Sequence, residues 1–260
     1  MINMQRFLPK VLHASLVLRS CRPIEHTMNN QIFMKYTICT VVNDVYLGFL
    51  YYFTKSALEK CTNLDKLIIL YTGYAFPDDA LYQDSRVKIV KYHQPIETQK
   101  IWDDGWEKNV NLKSQFLRDL AVDSDQPIFL IDVDCYFLRE FIDVIDPTKD
   151  IAVTKRDNIP PYIASFVGLI KPKSCLEFID TWRNQMASIQ TMPKETRALW
   201  QTVPIMEKKL QIQKIPDTTI SCLKIIPMAP DARILHFKGK SAGDAAHLIK
   251  KRLDSLESIL

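Results

Sequence analysis

Residues 127–138 read PIFLIDVDCYFL, and two carboxylates, Asp132 and Asp134, interrupt a run that is otherwise almost wholly apolar. On an extended segment, side chains at i and i+2 point the same way. Placed at the open end of a strand, both carboxylates can be aimed at one ion. Carboxylate oxygens are hard ligands that suit Mg²⁺ or Mn²⁺, and such ions commonly join one or two carboxylates to the phosphates of a substrate. A cation held in this way would neutralise a diphosphate and improve it as a leaving group. The plainer alternative is that Asp132 caps a turn and Asp134 is solvated. An Asp-x-Asp pair alone does not separate the two.

The elements around the pair decide where it can sit. KYTICTVV (35–42), DKLIILYTG (65–73), RVKIVKYH (86–93) and QPIFLIDVD (126–134) read as strands with little alternation. Between them, residues 44–61 and NLKSQFLRDLAV (111–122) have helical spacing, and 77–83 reads as a short helix. Continuous apolar strands separated by helices predict an α/β fold with a largely parallel sheet covered on both faces. In such sheets ligands bind beyond the carboxyl ends of the strands. Asp132 and Asp134 fall at one such end, and Asn43 and Asp44 at another. Further on, 150–158 and 162–172 read as strands. Residues 173–186 read as a helix capped by Ser174, and 195–210 as a helix interrupted by Pro204. Residues 220–226 and 232–237 read as short strands, and 244–260 as an amphipathic terminal helix whose default is to dock on the core.

The bulk composition excludes several classes. With 47% hydrophobic and 25% charged residues and a net charge of +4, the chain reads as one globular domain with appendages, residues 34–243 forming the domain. The charge is too mild and too scattered for a nucleic-acid protein, though compatible with a basic pocket for a small anion. The six cysteines form no C-x-x-C pair and read as reduced thiols, and no apolar run is long enough to span a bilayer. These features predict a cytoplasmic protein. Residues 1–33 read as an N-terminal extension outside the fold.

Three stretches in order, CTVVNDVYLGFL (39–50), FLIDVDCYF (129–137) and ILHFKGK (234–240), carry a resemblance. Together they resemble glycosyltransferases of the GT-A fold, and within them the glycogenin-type, sugar-retaining family. That family's first strand runs into T-x-x-x-N-D-x-Y, matched with one residue fewer by Thr40, Asn43, Asp44 and Tyr46. Its middle motif is D-x-D, and its closing motif is H-x-x-G followed by lysine, matched by His236, Gly239 and Lys240. The resemblance implies a single-domain GT-A-type fold, a Rossmann-like mixed sheet flanked by helices. It also implies a hexosyltransferase-type activity on a nucleotide-diphosphate sugar, most simply a UDP-sugar.

The resemblance implies roles as well. Asp132, Asp134 and His236 would coordinate Mn²⁺ or Mg²⁺. Thr40, Val42, Asn43, Tyr46 and Val133 would line the nucleotide, Lys113 would lie near ribose and phosphates, and Gly239 and Lys240 would meet the diphosphate. Gln201 would support the reacting face of the sugar, and Asp157 would bind sugar hydroxyls. The segment IWDDGWEKN (101–109), with two tryptophans in a predicted loop, would form an acceptor rim. Each has a plainer reading: a core-bonded His236, an ordinary helix lysine at 113, a core Tyr46, a turn aspartate at 157. The family's N-[SA]-G segment stands here as Ala164, Ser165 and Phe166, and its D-Q pair as Trp200 and Gln201. Alternatives at this stage are a nucleotide-sugar hydrolase or nucleotidyltransferase, and a non-catalytic protein that binds nucleotide-sugar or a partner. A phosphatase of the haloacid-dehalogenase type also uses D-x-D, but wants Thr or Val where Tyr136 stands and places the motif on its first strand.

Overall fold

The computed structural model describes residues 34–98, 103–191, 193–220, 231–237, 247–251 and 254, all within one compact unit, Phe33–Leu260. Strands β1 (Tyr36–Val42), β2 (Leu64–Tyr71), β3 (Val87–Lys91), β4 (Ile128–Ile131), β6 (Ile151–Lys155), β7 (Tyr162–Leu169) and β8 (Ile212–Pro216) form a seven-stranded sheet, ordered β3-β2-β1-β4-β7-β6-β8. β1 to β4 run parallel, β7 runs antiparallel to both β4 and β6, and β8 is parallel to β6. Two short strands, β5 (Cys135–Phe137) and β9 (Ile234–His236), pair in a second antiparallel ribbon.

Helix α1 (Leu47–Lys60) covers one face of the large sheet, packing Leu50, Phe53 and Ala57 against Ile38, Ile69 and Phe129. Helices α2 (Asp104–Asp123), α3 (Leu176–Ser188) and α4 (Lys194–Met206) cover the other, where Leu117, Phe178 and Leu199 meet Cys39, Leu130 and Val167. Every residue of β1 and of β7 is buried, as expected for strands covered on both faces. Tyr36, Phe129, Phe141 and Phe166 meet edge to face or tilted at centroid distances of 5.0–5.8 Å, within the favourable range for aromatic pairs. The Tyr36 hydroxyl donates to Glu140 at 2.6 Å, and this carboxylate also accepts from the backbone N–H of Asn63, Phe141 and Ile142. All four described cysteines are buried and free. Among the described residues no helix is long and apolar enough to cross a membrane.

Several elements differ from the sequence expectation. α2 begins at Asp104, not at 111, because the Asp103 carboxylate accepts from the backbone N–H of Trp106 at 2.7 Å and caps the helix there. The second half of the predicted 101–109 loop is therefore helix. α3 is preceded by a 3₁₀ turn, Pro172–Cys175, so Ser174 lies inside that turn and does not cap α3. α4 runs through Pro204 and ends at Met206; Pro204 removes one backbone bond without breaking the helix. Strand β8 was not predicted. Residues 1–33, the tryptophan at 102, residues 221–230 and 238–246, and most of the predicted terminal helix lie outside the described residues; 247–251 are helical. There Ile249 is buried with Phe49, Leu235 and Phe237, so this segment docks on the core.

Candidate functional site

The strand order reverses between β1 and β4: β2 and β3 extend the sheet on the β1 side, while β7, β6 and β8 extend it beyond β4. The carboxyl ends of β1 and β4 thus flank a switch point, where α/β sheets place ligands. A cavity of about 190 Å³ opens there. It is smaller than the ~300–1,000 Å³ of a typical small-molecule site.

β1 delivers Val41 and Asn43 to its wall, and the 3₁₀ turn Asp44–Tyr46 delivers Tyr46. Asn43 is 3% exposed, and its Oδ1 has no hydrogen-bond partner among the described residues. A buried carbonyl without a donor costs free energy, which makes this atom a waiting acceptor. Trp106, in the first turn of α2, closes the adjacent wall and is hydrogen-bonded to the Tyr46 hydroxyl. The indole can only donate in that bond. Burial and the Asp134 charge push the Tyr46 phenol up to about 12, so it stays neutral. Asn109 fixes α2 to the sheet: its amide donates to the Gly105 carbonyl at 2.9 Å, and its Oδ1 accepts from Thr72. Gly105 permits the close approach, since a Cβ there would meet the Glu97 carbonyl oxygen at 1.8 Å.

Asp132 and Asp134 do not share the face of a strand. β4 ends at Ile131, and the pair lies in the turn that carries the chain into β5. The Asp132 N–H donates to the Ser165 carbonyl at 3.0 Å, and the Cys135 N–H to the Asp132 carbonyl at 3.1 Å. The β5–β9 ribbon then supplies the histidine. Cys135 pairs with His236, and the Phe237 N–H donates to the Asp134 carbonyl at 2.8 Å. This places His236 Nε2 3.4 Å from Asp134 Oδ1. One ligand atom each from Asp132, Asp134 and His236 lies within 4.8 Å of the other two. Three residues up to about 100 positions apart are thereby brought to one point.

Lys113, from α2, and Glu195, from the first turn of α4, complete a charged floor. Lys113 Nζ is 2.7 Å from Asp132 Oδ1 and 3.4 Å from Glu195 Oε2. Burial works against the ammonium, but the Asp132 and Glu195 carboxylates overcome it and hold its pKa above the usual lysine range. Glu195 is pushed up to about 7, first by burial and then by the Asp132 charge, with Lys113 opposing. Burial also disfavours the Asp134 carboxylate, yet His236 and Lys113 keep its pKa below the ordinary value. Beside Asp132, the floor therefore holds an ionised Asp134, a charged lysine and a glutamate near its midpoint at neutral pH.

Of the residues named from the sequence, the structure gathers Asn43, Tyr46, Lys113, Asp132, Val133, Asp134 and His236 around this cavity. Thr40 and Val42 are not among its lining; they are buried, and Val42 packs in the α1-side core. Asp157 is exposed in the β6–β7 connection and is not among the residues lining the cavity. Gln201 faces a second groove, with Ile159, Pro160 and Trp200. Gly239 and Lys240 lie outside the described residues. Sequence reasoning missed Glu195, Ser165 and Val41 as lining residues, and placed Asn109 in an acceptor rim. Glu195 had one visible signal, a carboxylate in a helix first turn directly after Pro193 and Lys194, but such residues usually serve the helix terminus.

A solved structure described as a glycosyltransferase involved in the glycosylation of the major capsid of PBCV-1 is similar to this chain, with a TM-score of 0.57. The match covers 84% of this chain and 99% of that one, at 14% sequence identity. No protein-family model matches the sequence, and no curated protein matches it. At so low an identity the likeness is one of fold. A mostly parallel seven-stranded sheet with helices on both faces, matched over nearly the whole of that neighbour, is a GT-A-type α/β fold.

Proposed function

We propose that this chain is a metal-dependent glycosyltransferase. It moves a sugar from a nucleotide-diphosphate sugar, in the first instance a UDP-sugar, to a hydroxyl acceptor with retention of configuration. The observation that carries this reading is the meeting of Asp132, Asp134 and His236 within 4.8 Å at the switch point of a glycosyltransferase-type sheet.

The residues fit a divalent cation. Two carboxylate oxygens and an imidazole nitrogen suit Mn²⁺ or Mg²⁺. Asp134 is held ionised and Lys113 charged, so the cation would sit against carboxylate charge that it can offset. Bound there, the cation would neutralise the leaving diphosphate. The other steps belong to the chain's own side chains. Asn43 Oδ1 accepts a hydrogen bond from the base or ribose. Tyr46 and Trp106 present ring surface to the nucleoside. Lys113, held by Asp132 when no ligand is present, offers its ammonium to a phosphate oxygen. Glu195, half-protonated near neutral pH, can donate to or accept from a sugar hydroxyl. Gly239 and Lys240 are assigned to the diphosphate by their place after His236 in the sequence motif.

The test is nucleotide release. The full chain is incubated with UDP-glucose, UDP-galactose or UDP-N-acetylglucosamine, with Mn²⁺ or with EDTA, and liberated UDP is measured. The reading predicts UDP release from at least one donor that needs Mn²⁺ and is lost in Asp134→Asn. Release that is the same in the variant, or the same in EDTA, refutes it. A rate that never responds to any hydroxyl acceptor would instead describe a hydrolase.

A further inference from the structure

His236 is carried by a short ribbon. β5 and β9 are three residues each, and they pair with one another outside the seven-stranded sheet. A two-stranded ribbon by itself is at best marginally stable in water, so this one depends on what covers its two faces. One face belongs to the α1-side core. Cys135, Phe137 and Ile234 are buried there, Phe137 meets Phe53 at a centroid distance of 5.3 Å, and its N–H donates to Ser56 Oγ at 3.1 Å.

The other face is covered by a different part of the chain. Leu235 and Phe237, on either side of His236, are 1% and 2% exposed. They are buried in a small cluster with Phe49 of α1 and with Ile249, which lies in the helical residues 247–251. Ile249 is 2% exposed, while His247, Lys250 and Lys251 are exposed. A single deeply buried side chain, with Leu248 partly buried beside it, therefore docks this helix. The same cluster backs the cavity. Tyr46, which lines the cavity, packs against it: its ring centroid is 6.4 Å from that of Phe49, and Phe49 is 6.0 Å from Phe237. The Phe237 N–H in turn donates to the Asp134 carbonyl, beside the 3.4 Å approach of His236 Nε2 to Asp134 Oδ1. Metal–ligand distances hold to within about 0.2 Å, so the site needs this ribbon to be fixed.

We propose that the terminal helix is a positioning element of the metal site: Ile249, by covering Leu235 and Phe237, holds His236 in reach of Asp134 and of the cation. Ile249 does not line the cavity, so it acts only through the ribbon. The cation half of this rests on the glycosyltransferase reading; the hold on the ribbon does not.

The experiment uses the full chain as wild type, Ile249→Ser, the milder Ile249→Ala and the conservative Ile249→Leu. Met186→Ala, in the core on the opposite face of the sheet, is the comparison for a general loss of stability. Hydrogen exchange of peptides spanning 133–138 and 233–237 is measured first, without metal. Ile249→Ser should speed exchange across the ribbon, Ile249→Ala less so, and Ile249→Leu and Met186→Ala should leave it unchanged. Calorimetric titration of Mn²⁺ follows. Affinity should fall about 10–100-fold in Ile249→Ser and be kept in Ile249→Leu and Met186→Ala. In a His236→Ala background the further loss from Ile249→Ser should shrink to about twofold or less. Ribbon exchange that is the same in wild type, Ile249→Ser and Ile249→Ala overturns the proposal. So does an equal loss of Mn²⁺ affinity in Met186→Ala, or a loss from Ile249→Ser that is undiminished without His236. A wild type that binds no Mn²⁺ refutes the metal reading instead, and the exchange measurement then decides by itself whether the helix holds the ribbon.

Discussion

Glu195→Gln tests the charged floor through its effect on stability. Glu195 is 8% exposed, and its carboxyl is pushed from the ordinary 4.5 to about 7. Between those values the unfolded chain has released this proton and the folded chain still holds it. The folded state therefore binds more protons, and stability falls as pH rises. The loss begins near 4.5 and is complete above about 7. At 1.36 kcal/mol per pH unit, the difference corresponds to ~3 kcal/mol. Glutamine has nearly the same shape but does not titrate. Provided Lys113 stays charged, the variant carries a constant offset and no slope from this position. Melting curves in EDTA, from pH 4.5 to pH 8, should show the wild type losing ~3 kcal/mol relative to Glu195→Gln. For a chain of this size that corresponds to roughly 6–12 °C in Tm. A difference between the two proteins that is flat with pH would refute the buried Glu195–Lys113–Asp132 arrangement. A difference that widens in the opposite direction would mean Lys113 holds Glu195 below, not above, its ordinary value.

Other consequences follow from single contacts. Lys113→Met leaves Asp132 and Glu195 as uncompensated neighbours and should cost ~3–5 kcal/mol in chelator, measured by urea denaturation. If Asp132 is a cation ligand, Mn²⁺ should recover part of that loss. Asn43→Ala removes a buried carbonyl that has no donor among the described residues, so stability should change by less than ~1 kcal/mol while any UDP-induced thermal shift falls sharply. A large stability loss would mean that Oδ1 has a structural partner. Gly73→Ala would set a Cβ 2.2 Å from Asp44 Oδ1, beside the Tyr71 hydroxyl that donates to it. A loss of ~1–3 kcal/mol in denaturant titration is expected, and none would show that the β2 turn has room to move.

The sheet was readable because its strands are long apolar runs, and β1 and β2 matched their predicted bounds within two residues. The direction of side chains within β1 was not. All seven of its residues are buried, so no polar alternation marks which face meets the ligand. Val41 therefore lines the cavity beside the expected Asn43, while Thr40 and Val42, also expected there, do not. The Asp-x-Asp pair was visible by its polarity, but only the pairing of Cys135 with His236 explains why the chain must turn there. Strand β8 escaped notice because IQKIP mixes polar and apolar residues and ends in proline, as an edge strand allows. Glu195 escaped because nothing local distinguishes a helix-terminal carboxylate from one buried against a lysine 82 residues away.

The central claim is that Asp132, Asp134 and His236 hold a divalent cation that in turn holds a nucleotide diphosphate. The most direct measurement is calorimetric titration of Mn²⁺ into the full chain with and without UDP, on wild type and Asp134→Asn. The account predicts Mn²⁺ binding at one site that UDP tightens, with UDP tightened by Mn²⁺ by the same factor, and loss of both in the variant. Independent binding of Mn²⁺ and UDP, or coupled binding that survives Asp134→Asn, would contradict it.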